Sequence, residues 1–118
     1  MNTTRDINTT EVAARRYFDA WAAKDFDALR EVLADDASFR GPLGQADGAD
    51  ACIRGLRGIA EGVGLPKVCL IATNGDDAIT WFELQAEQGP VPVANWSHVE
   101  DGRITRVRAT FDPRSLLG

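Results

Sequence analysis

Few side chains in this sequence belong to the types that perform acid–base, nucleophilic or metal chemistry at neutral pH. His98 is the single histidine, the residue type that ordinarily titrates closest to pH 7. Cys52 and Cys69 are the only thiols, they form no CxxC motif, and both have apolar neighbours, which is typical of buried, inert cysteines. One histidine leaves too few ligands for a zinc site, so the sequence predicts no metal and no cofactor.

Two further polar residues stand inside apolar patterns. Tyr17 recurs with Trp21 at helical spacing, which is typical of a core tyrosine whose hydroxyl reaches a wet edge. Asn95 alternates with Val93 along a predicted strand. A buried amide needs a hydrogen-bond partner, because leaving it unpaired costs about 1–3 kcal/mol. Asn95 is therefore a candidate for contact with a ligand.

Size and charge limit the classes of function. The chain has 118 residues and a formal net charge of −5, which fits one globular domain. Lysine and arginine are dispersed rather than gathered in a basic stripe, so nucleic acid is not an expected partner. No stretch approaches the roughly 20 apolar residues that span a bilayer, and the polar start lacks the apolar core of a signal peptide. We expect a flexible tail over residues 1–8, one domain over residues 9–118, a cytoplasmic location and no membrane partner.

Helical signals dominate the first half of the chain. Asn8 and Glu11 form a capping box, which predicts a helix from position 9. Asp25 and Asp47 are expected to cap a second and a third helix, and Asp35-Asp36 is expected to end the second. These three helices must carry the apolar side chains that cover a sheet.

Strand signals follow the helices. A short strand is predicted over residues 37–40 and longer strands over residues 67–73, 78–86, 91–99 and 104–111, with Gly- and Pro-containing turns between them. Adjacent strands joined by tight turns form antiparallel sheets. We therefore predict an α+β fold, a cone-shaped two-layer domain with three helices from the N-terminal half packed on a curved antiparallel sheet.

Four stretches of the sequence carry a resemblance to a known family. RYFDAW at 16–21, LADDASFRGPLG at 33–44, VEDGRI at 99–104 and RATFD at 108–112 resemble ketosteroid isomerases and SnoaL-like polyketide cyclases. These belong to the nuclear transport factor 2-like superfamily, and the resemblance covers residues 9–117 in the same element order. It implies that fold and a homodimer. It implies a function among isomerases, cyclases, epoxide hydrolases, dehydratases and binding modules.

The resemblance also implies roles for single positions. In ketosteroid isomerases a tyrosine and an acid donate hydrogen bonds to an enolate oxygen, and a carboxylate on the first strand moves the proton. These positions correspond to Tyr17, Asn95 and Gly41. Asn95 can still donate through its amide, but glycine cannot move a proton, and the acid of SnoaL-like cyclases corresponds to Ala109. The resemblance thus implies a catalytic pair, Tyr17 and Asn95, without the usual carboxylate.

One turn decides which side chains face the pocket. Residues 100–103 allow a two-residue hairpin, which pairs Asn95 with Arg108, or a three-residue loop, which pairs Asn95 with Val107. A slip of one residue exchanges the two faces of the sheet. We favour the three-residue loop because it gathers apolar side chains on the inner face and places Trp96 opposite Arg106 as a cation–π pair.

This register predicts two surfaces. Beside the catalytic pair, the inner pocket is expected to comprise Trp21, Phe39, Gly41, Phe82, Val93, Ser97, Val107, Ala109 and Phe111. The outer face carries two tryptophans, the histidine and paired charges, which is not a normal solvated surface, so we interpret it as a homodimer interface. Its predicted residues are Trp81, Trp96, His98, Arg106 and Arg108.

Two functional hypotheses stand at this point. The first is an isomerase or cyclase that acts on a polycyclic or polyketide-like carbonyl compound polarised by Tyr17 and Asn95. The alternative is a non-catalytic ligand-binding or dimerisation domain of the same fold, motivated by the missing carboxylates at Gly41 and Ala109. The expected partners are a small apolar or polycyclic molecule and a second copy of the chain.

Overall fold

The computed structural model describes residues 8–116, so nearly all of the tail predicted over residues 1–8 lies outside the described residues. The helices are α1 (Thr9–Ala22), α2 (Phe26–Val32) and α3 (Ala49–Gly62). The strands are β1 (Leu33–Gly41), β2 (Gly44–Asp47), β3 (Pro66–Asn74), β4 (Asp77–Ala86), β5 (Gly89–Glu100) and β6 (Arg103–Thr110). A short 3₁₀ turn, Pro113–Ser115, follows the last strand.

The six strands form one mixed sheet in the order β2-β1-β6-β5-β4-β3. Helix α1 packs on β3 to β6, and α3 packs on β1 and β2, so the predicted α+β architecture is confirmed. The fully antiparallel sheet is wrong at one ladder, because β1 runs parallel to β6. The sequence between these two strands is most of the domain. A connection that long permits either direction, whereas tight hairpins enforce antiparallel pairing.

The helix starts agree with the sequence only in part. The side chain of Asn8 accepts a hydrogen bond from the backbone N–H of Glu11 at 2.9 Å, and Asp25 caps α2 through Ala28 N at 3.1 Å, as predicted. The predicted cap of α3 is wrong. Gly48 occupies the N-cap with φ of 92°, and Asp47 belongs to β2, where its carboxylate accepts from Arg40 at 2.9 Å.

The second helix ends earlier than predicted. Strand β1 begins at Leu33, which is extended, 1% exposed and paired with Ile104 of β6, so Asp35-Asp36 lies within a strand rather than at a helix end. Strand β2 was not predicted, because Gly-Gln-Ala-Asp has no β-branched or aromatic residue. It forms through its pairing with β1, in which Gly44 lies opposite Gly41.

The β5–β6 hairpin has the two-residue tip of the less favoured alternative, so the predicted three-residue loop is wrong, and beyond a bulge the pairing departs from both registers. Asp101 and Gly102, both at positive φ, form a two-residue tip, and Val99 pairs with Ile104. Thr105 is then an extra residue on β6, so that beyond this bulge Asn95 pairs with Ala109. The bulge changes the pairing by one residue. Side chains beyond the bulge therefore lie on the faces that the three-residue loop predicts, although the residue pairs of that prediction are wrong.

Two smaller predictions also change. Trp96 lies opposite Arg108 rather than Arg106, so the predicted cation–π pair is wrong. Cys69 is exposed, whereas Cys52 is buried as predicted. Cys69 lies at the irregularity between Val68 and Leu70 in β3, the outermost strand of the sheet on that side.

The core lies between α1, α3 and the inner face of the sheet. Four aromatic rings pack at its centre, with Phe18 at 4.9 Å from both Tyr17 and Phe82, and Trp21 at 5.7 Å from Phe82, measured between ring centroids. Among residues 8–116, none of the helices has the length and apolar character that crossing a bilayer requires. The aromatic cluster places α1 directly over the centre of the sheet.

Candidate ligand site

A small inner cavity lies between α1 and the sheet, with a volume of about 20 Å³. It is lined by Tyr17, Trp21, Phe39, Ile59, Phe82, Leu84, Val93, Asn95, Ala109 and Phe111. The structure therefore brings together both residues of the predicted catalytic pair and six of the nine predicted pocket residues. Gly41, Ser97 and Val107 are not in this lining. Ile59 was missed because nothing in the sequence pairs α3 with this part of the sheet, whereas Leu84 could have been found from its alternation with Phe82 along β4.

Tyr17 provides a buried hydroxyl at this cavity. The side chain is 1% exposed, and burial raises the pKa of its hydroxyl well above the ordinary value near 10, with the neighbouring Cys52 adding to the rise. The hydroxyl therefore keeps its proton over the whole neutral range. Within the described part of the chain it has no hydrogen-bond partner, so its proton is available to a ligand.

Asn95 is the second polar group at the cavity. It is 3% exposed, and its side-chain nitrogen donates to Ser97 Oγ at 3.1 Å. A primary amide carries two N–H donors, so one donor and the carbonyl oxygen remain for other partners. Ser97 lies two residues further along the same face of β5, and this hydrogen bond fixes the orientation of the Asn95 amide. This arrangement explains why Ser97 is fully buried although it does not border the cavity.

Thr80 completes a row of neutral polar side chains on the inner face. It lies directly opposite Asn95 on β4, is fully buried, and its hydroxyl has no partner among the described residues. Thr80, Asn95 and Ser97 therefore form a row under α1 that contains no charged side chain. Because a charge at this depth would need a paired countercharge, neutral side chains are what such a surface tolerates.

Trp21 is fixed by a buried hydrogen bond. Its indole nitrogen donates to the carbonyl of Leu56 in α3 at 3.0 Å. This bond connects α1 to α3 beside the cavity. The Trp21 ring and its hydrogen bond therefore fix the separation between α1 and α3 beside the cavity.

A larger outer chamber of about 250 Å³ lies between the β1–β2 hairpin and α3. It is lined by Phe39, Leu43, Gly44, Gln45, Ala46, Cys52, Gly55, Leu56 and Ile59. Of these only Phe39 was predicted as a pocket residue, because the chamber depends on β2. Burial raises the pKa of the Cys52 thiol, as does the nearby Asp47 carboxylate, so this thiol is neutral.

The chemistry available in these two cavities is that of hydrogen-bond donation. Among the described residues that line them there is no Asp, Glu, Lys, Arg or His. Residues 8–116 also contain no group of three or more His, Cys, Asp or Glu placed to hold a metal ion. The site can therefore orient and polarise a neutral ligand, but it holds no carboxylate that could move a proton.

The predicted outer face has a different character. Trp81 and Trp96 are 47% and 44% exposed, and the indole of Trp96 donates to Asp77 Oδ1 at 2.8 Å. His98 Nδ1 lies 2.7 Å from the same carboxylate oxygen, and these contacts, the His98 bond first, lower the pKa of Asp77. His98 thus points away from both cavities, as the sequence predicts, and lies beside Asp77 and Trp96 in a partly exposed polar cluster.

Comparisons with known proteins agree with this architecture. A family model described as a SnoaL-like domain matches residues 14–107. A search of proteins with curated functions found no match. The matched range includes both Tyr17 and Asn95, together with the helices and strands that position them.

Solved structures show the same fold. An NTF2-like protein from Cytophaga hutchinsonii is 22% identical, with 92% of this chain and 95% of that one covered and a TM-score of 0.82. A proposed ketosteroid isomerase from Kribbella flavida is also 22% identical, with 91% and 80% covered and a TM-score of 0.81. A proposed polyketide cyclase from Sinorhizobium meliloti is 25% identical, with 82% and 92% covered and a TM-score of 0.77.

Proposed function

The chain belongs to the SnoaL-like domain family, and on this basis we propose that it binds a small carbonyl compound and promotes an isomerisation or cyclisation of it. The ligand would occupy the outer chamber and direct its carbonyl oxygen into the inner cavity. There it would accept hydrogen bonds from Tyr17 and Asn95. The similarity to a proposed polyketide cyclase and a proposed ketosteroid isomerase supports this class of reaction.

One observation carries the proposal: the Tyr17 side chain is buried, and its hydroxyl is protonated, borders the inner cavity and has no partner among the described residues. The hydroxyl is not among the fully enclosed unpaired atoms, so it faces the open space of the cavity, where a ligand oxygen can accept its hydrogen bond. A donor in a dry site stabilises an oxygen that gains negative charge far better than water does. The loss of one such donor typically lowers a rate by about 100- to 1000-fold.

The proton must move without a protein carboxylate at the Gly41 position. The inner cavity, at about 20 Å³, is filled by the carbonyl oxygen, whereas the outer chamber, at about 250 Å³, has room for a water molecule beside a small ligand. In the proposed reaction a water takes a proton from the α-carbon, and the electron pair of the broken C–H bond moves into an enolate whose oxygen accepts hydrogen bonds from Tyr17 and Asn95. The protonated water then returns the proton to the γ-carbon, so that the double bond becomes conjugated with the carbonyl. Tyr17 and Asn95 lower the barrier by stabilising the enolate oxygen.

The direct test uses a small unsaturated ketone. Conversion of cyclohex-3-enone to cyclohex-2-enone is followed by the absorbance of the conjugated product, with the wild-type protein and with Tyr17→Phe. We expect the variant to lose about 100-fold in rate, because the ring remains and only the donor is removed. Thr80→Val is the matched control, since it removes a buried hydroxyl that does not border the cavity. Equal rates for wild type and Tyr17→Phe would contradict the proposal.

A second candidate function is ligand binding without turnover. It is favoured by the absence of any ionised side chain among the described residues that line the two cavities. The two candidates differ in the state of the recovered ligand. Incubation with cyclohex-3-enone followed by extraction returns it unchanged from a binding protein, whereas an isomerase returns the conjugated ketone.

We also propose that the outer sheet face pairs with a second copy of the chain. Leu70, Ile79, Trp81 and Trp96 are exposed there beside the Asp77–His98 cluster. Mass measurement in solution, with Trp96→Glu as the disrupting variant, tests this arrangement. A monomeric wild-type protein at micromolar concentration would rule it out.

A further inference from the structure

Phe39 separates the two cavities. Its side chain borders both the outer chamber and the inner cavity, and Ile59 of α3 borders both from the opposite side. Phe39 lies on the inner face of β1, where it pairs with Val107 of β6 and Ala46 of β2. A ligand in the outer chamber therefore meets the Phe39 ring before it meets Tyr17 or Asn95.

The Phe39 ring stands where a side chain at position 41 would point. Residues two apart on a strand share a face, and a methyl group built on Gly41 would lie 3.1 Å from Cε1 and 3.3 Å from Cζ of Phe39. Both distances are shorter than ordinary van der Waals contact. Gly41 therefore has two effects. It places no carboxylate in the pocket, and it leaves room for the Phe39 ring that a larger side chain at position 41 would occupy.

The chamber also restricts the chemistry of its occupant. Its lining is apolar except for Gln45 and the neutral thiol of Cys52, so a charged ligand would lose its hydration without gaining a countercharge. The two volumes, about 250 and about 20 Å³, lie at or below the small end of ordinary ligand sites, which are roughly 300–1,000 Å³. Both features favour a neutral, single-ring or short-chain molecule over the polycyclic substrate that the sequence predicts.

We propose that Phe39 is a specificity-determining residue: its ring, which stands in the space that Gly41 leaves open, limits access to the Tyr17–Asn95 donors to small neutral carbonyl compounds. This inference rests on the proposed function, since it names the ligand class of the same site. The ring forms a partition that a single-ring ketone can pass and a fused-ring ketone cannot. Replacement of Phe39 by a small residue therefore joins the outer chamber to the inner cavity.

The test compares two ketones of different size. Binding of 4-fluoroacetophenone and of 2-acetyl-6-fluoronaphthalene is measured by ¹⁹F NMR titration, with 4-fluorobenzoate as the charged probe of the smaller size. We expect wild type to prefer the single-ring ketone by about tenfold or more and to leave the benzoate unbound. The infrared carbonyl band of the bound ketone reports hydrogen bonding to the donor pair, and Tyr17→Phe should reduce its shift.

Variants at four positions identify the partition. Phe39→Ala, and Phe39→Leu if the alanine variant does not fold, should lower the size preference by about tenfold. Val12→Ala is the control, because Val12 lies on α1, borders neither cavity and is 37% exposed. Gly41→Ala should weaken binding of the small ketone by about fivefold or more, because it removes the space for the ring. Gly58→Ala adds the same methyl group where nothing lies within 4 Å and should change nothing.

The outcomes separate this inference from the proposed function. An unchanged size preference in both Phe39 variants, with a carbonyl shift that still depends on Tyr17, overturns the role of Phe39 and leaves the donor pair standing. A bound ketone whose carbonyl band is the same in wild type and Tyr17→Phe overturns the proposed function and this inference with it. Loss of size preference in the Phe39 variants alone supports the inference.

Discussion

The two faces of the sheet are built from the same strands, yet their side chains follow opposite rules. On the inner face the polar residues of β4 and β5 are neutral, namely Thr80, Asn95 and Ser97, and all are buried. On the outer face the polar residues include Asp77, Glu83 and Arg106, which carry charge, and Asp77 contacts His98. Aromatic residues occur on both faces, as Phe82 at 3% and Trp81 at 47% exposure show. The difference is thus one of charge and solvent rather than of aromatic content.

The physical reason is the cost of removing charge from water. An ionised group under α1 would need a countercharge and further hydrogen bonds to offset its lost hydration. On the outer face Asp77 and His98 stay partly hydrated, so their ion pair is tolerated and contributes little. The inner face can therefore present only neutral donors to a ligand, which is the kind of chemistry proposed for Tyr17 and Asn95.

The largest expected effect comes from a comparison of Phe82 with Trp81, which are neighbours in sequence and lie on opposite faces of the sheet. Phe82→Ala removes a ring that packs on Phe18 and Trp21, and we expect it to lower the free energy of unfolding by about 3–5 kcal/mol. Trp81→Ala should cost less than about 1 kcal/mol in a monomer, because the side chain is half exposed. Urea denaturation of both variants measures the two values. Similar costs for the two variants would contradict the contrast.

The same two variants also test whether a second copy of the chain covers the outer face. The cost of Trp81→Ala should grow with protein concentration if a second copy covers this surface, since association stabilises by mass action. The cost of Phe82→Ala should show no such additional dependence. Repeating the denaturation at two protein concentrations about 50-fold apart distinguishes the cases through this mass-action term.

A smaller effect is expected where a polar group is buried on the inner face. Thr80→Val replaces a hydroxyl that has no partner among the described residues with a methyl group of similar shape. We expect a gain of about 1 kcal/mol in the free energy of unfolding, since the desolvation cost of the hydroxyl disappears. Thr110→Val, exposed on β6, should stay within about 0.5 kcal/mol of wild type. A loss of stability in Thr80→Val would indicate a buried water bound to the hydroxyl.

The smallest effect is expected at the charged cluster of the outer face. The bonds from His98 and Trp96 hold the pKa of Asp77 below its ordinary value, so the carboxylate stabilises the folded state above its unfolded pKa of about 3.9. That contribution is lost as the pH falls through the lower folded pKa. Thermal unfolding of wild type and Asp77→Asn between pH 2 and pH 6 should therefore converge at the acidic end. A constant difference in Tm across this range would contradict the assignment.

Much of the helical layer was predictable because its signals are local. The capping bond of Asn8 and the helical spacing of Tyr17 and Trp21 depend on residues within one or two turns. The division of β4 and β5 into faces was also predictable, because side chains alternate along any strand. These local rules were enough to bring both donors and most of the predicted pocket residues to one cavity.

The sequence by itself determined which residue types face inwards and that no carboxylate stands at position 41, because both follow from the order of residues. The tertiary structure decided the rest. Thr105 becomes a bulge only because β6 must align with β1 as well as β5, and β2 forms only because β1 offers it a partner. The partition by Phe39 likewise depends on β1 and α3, which approach one another only when α1 and the sheet have enclosed a common core.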